Sequence, residues 1–273
     1  MPVVVIPLRD DTPSVRRPYV TIALLVVNVA VFFLVQPPVD SDESQEFLYR
    51  NAAIPCELRT GDPVTAAAVV TGDCDSPAVT VSRAGATGVV PDVPIYPDKN
   101  VYLALVWSMF LHGSLLHLLG NMLFLWIFGN NIEDRFGHVA FAAFYLVTGV
   151  VATVAHVSGN DGATVPLIGA SGAIAGVMGA YFVWYPAARV LTLLGWFLLE
   201  LPAAVVLGIW FLLQFATNPN EGVAWLAHVG GFVSGAALAL ALRGVFLPPR
   251  PRLAAPGWYD DDDDGPRFGR RDW

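Results

Sequence analysis

Ser171 and His228 are side chains whose types could do covalent chemistry together, because a serine hydroxyl is a weak nucleophile until an imidazole takes its proton. His117 and Asn121 stand four residues apart and share a face if they lie on a helix. An imidazole and a carboxamide aimed at one point can hold the oxyanion of an acyl transfer. Gly169-Ala170-Ser171-Gly172 provides the small residues of a crowded turn, and a helix beginning there would add unpaired N–H groups and the positive end of its dipole. Ala173 stands where the nucleophile elbow of soluble hydrolases carries its second glycine, so that motif is absent. Glu200 lies at the inner end of the fifth apolar helix, most of a membrane thickness away, and Asp161, in the segment before Ser171, is the remaining acidic alternative. The expectation is therefore a Ser171–His228 dyad rather than a triad.

These residues sit in a chain of 273 residues that is 55% hydrophobic and 14% charged, with a mean hydropathy of +0.56. Soluble domains carry roughly 25% charged residues, so an integral membrane protein is the reading. A net charge of −8 argues against nucleic acid as a partner, since binding phosphate needs a basic face. Six apolar segments stand out: Tyr19–Val35, Leu115–Asn131, Val139–Val157, Leu167–Trp184, Val190–Phe215 and Val223–Leu242. Each can cross a hydrocarbon core of about 30 Å. Pro202 suggests that the fifth helix runs from about Leu199 to Phe215, with Val190–Phe197 as a lead-in. The predicted fold is an all-α integral membrane protein, a six-transmembrane-helix bundle.

Arg9, Arg16, Arg17, Arg135, Arg189, Arg243, Arg250 and Arg252 flank one side, whereas the connections 158–166 and 216–222 hold no basic residue. Positive residues are retained in the cytoplasm, which predicts both termini cytoplasmic in a multi-pass protein of the cell (plasma) membrane. The second, fourth and sixth segments then enter from outside, and His117, Asn121, Ser171 and His228 all fall within about 10 Å of that surface. Glycines spaced as Gly172-Gly176-Gly179 and Gly231-Gly235 would let the fourth and sixth helices approach closely and bring Ser171 toward His228.

The predicted organisation is an N-terminal tail at 1–18, a membrane domain at 19–247 with a long extracytoplasmic loop at 37–111, and a C-terminal tail at 248–273. The tail, Pro-rich with Asp260 to Asp264 in succession, reads as a solvated disordered segment. The loop holds Cys56 and Cys74, which could pair in an oxidising compartment or remain two free thiols. Two cysteines without a nearby histidine leave zinc short of ligands.

Three stretches, HGSLLHLLGNMLFLWIFGNNIEDRFG from His112, GASGAIAGVMGAY from Gly169 and AHVGGFVSG from Ala227, resemble the rhomboid intramembrane serine proteases. The opening PLRDDTPSVRRPYVT is similar to prokaryotic members. The resemblance implies Ser171 as nucleophile, His228 as base, and His117 and Asn121 with the Ser171 N–H as oxyanion hole. Gly169 and Gly172 match the glycines of the serine motif, and His112 a histidine with a structural role. Glu133 and Arg135 match a paired acid and base at the inner end of the second helix. Ala175 stands where many members place an aromatic residue against the base, so the orientation of His228 must come from elsewhere. No metal, nucleotide or other cofactor is implied, and the substrates are transmembrane proteins presented from the lipid bilayer.

His156 matches no motif and reads as interfacial. A transporter is disfavoured because polar residues would be needed near the midplane. An inactive rhomboid-like protein that binds membrane clients would need neither Ser171 nor His228. The fifth helix is the expected side gate, with Trp196 and Phe197 as the residues whose replacement should alter turnover.

Overall fold

The computed structural model describes residues 5–39, 41–83, 86–216 and 223–246. The 248–273 tail with Asp260–Asp264 lies outside the described residues.

The architecture is a helical bundle. Its members are α1 (Tyr19–Ala30, continued by a wide turn at Val31–Val35), α6 (Leu115–Phe136), α7 (His138–Gly159), α8 (Ser171–Trp184), α9 (Ala203–Gln214) and α10 (Trp225–Leu242). Among the described residues, α6, α7 and α10 are long and apolar enough to cross a membrane on length and composition; α1 with its extension, α8 and α9 are shorter apolar helices. Helix α8 is the centre, buried without interruption from Gly172 to Tyr181, as a helix apolar on every face must be. It packs against α10, α7 and α6. Small residues make this possible: a Cβ on Gly172 would lie 2.7 Å from the Ala152 methyl of α7, and one on Gly179 would strike the Phe232 carbonyl of α10.

The lower end of α6 fastens α1. Glu133 is fully buried and its carboxylate accepts from Val20 N at 2.8 Å, Thr21 N at 2.7 Å and Thr21 Oγ1 at 2.7 Å, capping the first turn of α1. Asp134 accepts from Val15 N and Arg16 N, both at 2.9 Å. The expected pairing of Glu133 with Arg135 is not what the structure holds. The Arg135 guanidinium instead lies 4.3 Å over the Trp184 ring and its Nε donates to Phe246 O at 3.0 Å. Successive helical residues point about 100° apart, so neighbours two positions apart serve different partners.

Two small sheets correct the expectation of an all-α chain. Strand β1 (Val5–Asp10), within the expected N-terminal tail, joins β4 (Arg189–Leu194) and β5 (Phe197–Pro202) in an antiparallel sheet ordered β1-β4-β5. The presumed lead-in Val190–Phe197 is thus most of a hairpin turning at Gly195, whose φ is +60°. Val190 and Thr192 are buried on one face at period two, which is strand spacing. Helix α9 consequently starts at Ala203 after Pro202, and Leu199 belongs to β5. Trp196, 94% exposed, and Phe197 sit at the hairpin tip rather than on the fifth helix, so they are removed as probes of a gate there.

The long loop is folded. It contains α2 (Asp42–Asn51), α3 (Pro55–Thr60), α4 (Ala66–Thr71), a hairpin of β2 (Val79–Arg83) and β3 (Ala86–Val90), and α5 (Val101–Trp107). A core of Ile54, Cys56, Val64 and Ala68 is closed by a Cys56–Cys74 disulfide, which decides between paired and free thiols. The Lys99 ammonium, buried, lies 2.7 Å from the Glu57 carboxylate.

Candidate active site

Three helices begin at one end of the bundle, and each carries a candidate residue in its first turn. Ser114 caps α6, its hydroxyl accepting from His117 N at 3.1 Å, so His117 is the third residue of that helix. His228 is the fourth residue of α10. Ser171 is the first residue of α8, whereas a helix beginning with the apolar segment at Leu167 would hold it four residues in. The earlier start is prevented by the chain before it: Leu167 N donates to Ala53 O at 2.7 Å, and Gly169 has a φ of +119°, which no helix adopts.

Ser171 Oγ and His228 Nε2 are 2.8 Å apart. His228 Nδ1 lies 2.7 Å from Gln214 Oε1. The ring of His228 is flanked by Trp210 at 5.8 Å between centroids, with an interplanar angle of 39°. Gln214 and Trp210 are one turn apart on α9, and neither was found in the sequence. The aromatic neighbour missing at Ala175 is thus delivered from another helix. A Gln inside an apolar run has no spacing relation to a His fourteen residues later, so only the position of Trp210 could have hinted at it.

Around this pair, a Cβ placed on Gly169 would stand 2.9 Å from His117 Nε2 and 3.6 Å from Ser171 Oγ, so both groups flank one point. Asn121 is buried, and its Nδ2 donor has no acceptor among the described residues. No side chain caps the first turn of α8 at Ala170, which leaves N–H groups of that turn available for an anion. His112 is fully buried, edge-on to His117 at 5.1 Å, and its backbone is clamped by Gln36 through bonds of 3.0 and 3.1 Å. Gly172 touches Ala152 and contributes closeness of packing rather than a polar group. Ser108 also went unread in the sequence: its Oγ accepts from Ala53 N at 2.6 Å and its carbonyl accepts from Gly169 N at 2.9 Å, tying the loop domain to the turn before Ser171.

A cavity of about 850 Å³ opens onto Ser171, His228, His117 and Asn121. His156, read as interfacial, lines the same cavity from α7. Asp161 is exposed and does not line it, and Gln214 occupies the side of His228 where an acid would have to stand. A hydroxyl bonded to an imidazole, beside uncommitted donors in a cavity, is an arrangement able to attack a carbonyl and hold the charge that develops.

The rhomboid domain family matches residues 99–245. The chain is 30% identical over 159 residues to RHOMBOID-like protein 5 of Arabidopsis thaliana, covering 56% of this chain and 49% of that protein. It is 38% identical over 94 residues to Presenilin-associated rhomboid-like protein A, mitochondrial, of Danio rerio, covering 34% and 24%. Presenilin-associated rhomboid-like protein, mitochondrial, of Bos taurus is 39% identical over 97 residues, covering 34% and 25%. The chain thus spans half or less of the length of these relatives. They are plant and mitochondrial proteins, so the prokaryotic type expected from the opening residues 7–21, which lie outside the matched domain, is not shown. With more than half of its length matched by one domain family, the chain belongs to the rhomboid family of helical, multi-pass membrane proteins.

Proposed function

We propose that this chain is an intramembrane serine endopeptidase that hydrolyses a peptide bond in or beside a transmembrane helix of a substrate protein. The observation that carries the reading is the 2.8 Å contact between Ser171 Oγ and His228 Nε2 at the wall of the cavity. As Oγ attacks the scissile carbonyl, His228 takes its proton. The tetrahedral oxyanion is held by His117, Asn121 and the N–H groups at the start of α8. Collapse breaks the C–N bond, and the leaving amine takes the proton from His228. Water entering through the cavity then attacks the ester, again losing its proton to His228, and Ser171 is released with the new carboxylate.

In this reading α1, α6, α7, α8, α9 and α10 are the six spans of a membrane domain at 19–247, with the loop domain at 37–111 outside and both tails, 1–18 and 248–273, in the cytoplasm. The arginines of the short flanks support that orientation in a plasma membrane, the long loop with Arg50, Arg59 and Arg83 being translocated regardless of its charge. The lipid bilayer delivers the substrate laterally, and α9, now carrying Trp210 rather than Trp196 at the cavity, is the side at which it enters.

The test is covalent labelling of detergent-purified protein by a fluorophosphonate, comparing wild type with Ser171→Ala and His228→Ala. Labelling of wild type that disappears in both variants is expected. A folded wild type that does not label would overturn the protease reading in favour of a protein that binds membrane clients without cutting them.

A further inference from the structure

We infer that Gln214 is the positioning residue for the base: a neutral amide that stands third behind Ser171 and His228 and holds the imidazole in the one tautomer able to take the serine proton. The inference rests on the protease reading and adds to it the group that orients His228.

The hydrogen bonds determine the tautomer. A neutral imidazole has one N–H, and an amide oxygen can only accept. With Gln214 Oε1 at 2.7 Å from Nδ1, the proton sits on Nδ1, and the lone pair of Nε2 faces Ser171 Oγ at 2.8 Å. The amide is itself oriented, because Gln214 Nε2 donates to Trp210 O at 2.9 Å; turning it round would set its oxygen against a carbonyl. Trp210 lies beside the ring at a tilt of 39° while Gln214 holds its Nδ1, so one turn of α9 places two contacts on His228.

An amide in place of an acid follows from the surroundings. The groups facing His228 are His117 from α6, His156 from α7 and Ser171 from α8, and no carboxylate lines the cavity among the described residues. A carboxylate here would be a charge among membrane helices, costly to bury before the reaction begins. The amide provides the same acceptor without that charge, and its bond to Nδ1–H strengthens when His228 becomes an imidazolium.

The experiment measures the rate of fluorophosphonate labelling between pH 5 and 9 for wild type, Gln214→Met and Gln214→Glu, with melting temperatures as a check on folding. Gln214→Met keeps the bulk and removes the acceptor, and should label about 10- to 100-fold more slowly, the loss of one hydrogen bond to a group that becomes charged. Gln214→Glu restores the acceptor; it should recover labelling and move the acidic limb of the profile to higher pH, because a carboxylate favours the imidazolium. A glutamine that served only folding would leave the labelling rate of folded Gln214→Met at that of wild type. Gln214→Met labelling at the wild-type rate, or Gln214→Glu as slow as Gln214→Met with the limb unmoved, would overturn the inference while leaving the protease reading intact. Absence of labelling in wild type would remove the protease reading itself.

Discussion

Gly235 meets Gly176 backbone to backbone: a Cβ on Gly235 would fall on the Gly176 carbonyl oxygen, and one on Gly231, a turn earlier, would fall on that of Gly172. These two contacts lock α10 onto α8. Ser171 precedes Gly172 by one residue and His228 precedes Gly231 by three, so the glycine stripe sets the spacing of Ser171 and His228. Gly235→Ala should force the helices apart, lowering stability by about 1–3 kcal/mol and slowing labelling of Ser171. Gly208→Ala on α9 is the control. It meets nothing within 4 Å, and removing a helical glycine there should leave the melting temperature unchanged or raise it. Equal melting temperatures for Gly235→Ala and wild type would refute the stripe.

Gly169 constrains the site from the other side. Its φ of +119° is rarely open to a residue with a side chain, and a methyl there would lie 2.8 Å from His117 Cε1. Gly169→Ala should therefore displace the His117 ring and reduce labelling about tenfold or more, at a cost in stability of about 1–3 kcal/mol. Labelling kinetics alongside a melt would separate the two effects, and a variant that labels normally would show that His117 has room to move.

What the sequence made legible depended on the kind of signal. That His117, Asn121, Ser171 and His228 line one cavity at one end of the bundle is legible because helix geometry converts position along an apolar run into depth. The stripe of Gly172, Gly176, Gly231 and Gly235 was readable for the same reason, since small residues at period four announce a close helix pair. Gln214 was hidden because its partnership with His228 depends on how α9 leans on α10, which no periodicity encodes. The β4–β5 hairpin was hidden differently: its apolar tip from Leu193 to Leu199 continued the apolar run that follows it, and only Val190 and Thr192 betrayed strand alternation. The loop domain rests on distant pairings such as Leu167 with Ala53 and Cys56 with Cys74, which composition cannot specify.

Asp10, at the end of β1, gives a pH test. Its Oδ2 accepts from Tyr181 Oη and Asn131 Nδ2, both at 2.6 Å, and burial holds its carboxyl above the usual range despite these donors. A raised folded pKa means the folded protein binds the proton more tightly than the unfolded chain. The associated stability is fully present below the unfolded pKa of about 4 and is lost as pH rises through the folded value. Asp10→Asn keeps an oxygen for both donors and cannot ionise. Wild type should thus lose stability relative to Asp10→Asn as pH is raised from 4 to 7 in about that range, measured by melting; a difference independent of pH would sink this account.

The Lys99–Glu57 pair in the loop domain tests how a buried charge is tolerated there. Both side chains are nearly inaccessible, at 2% and 1% exposure, and their charged atoms are 2.7 Å apart. Glu57 also accepts from Val64 N at 3.0 Å, and Lys99 donates to Tyr49 O at 2.8 Å, so each charge has a second partner. Burial nevertheless dominates, pushing the Glu57 carboxyl up and the Lys99 ammonium down from their ordinary values. Removing one partner strands the other charge, and such changes cost about 3–5 kcal/mol, whereas removing both can be neutral. Glu57→Gln and Lys99→Met should each destabilise the loop domain by about that amount, while the double variant should recover most of the loss. Hydrogen exchange at the α3 and α4 amides would report it locally. Strict additivity of the two single losses would mean that the ammonium and the carboxylate do not depend on each other.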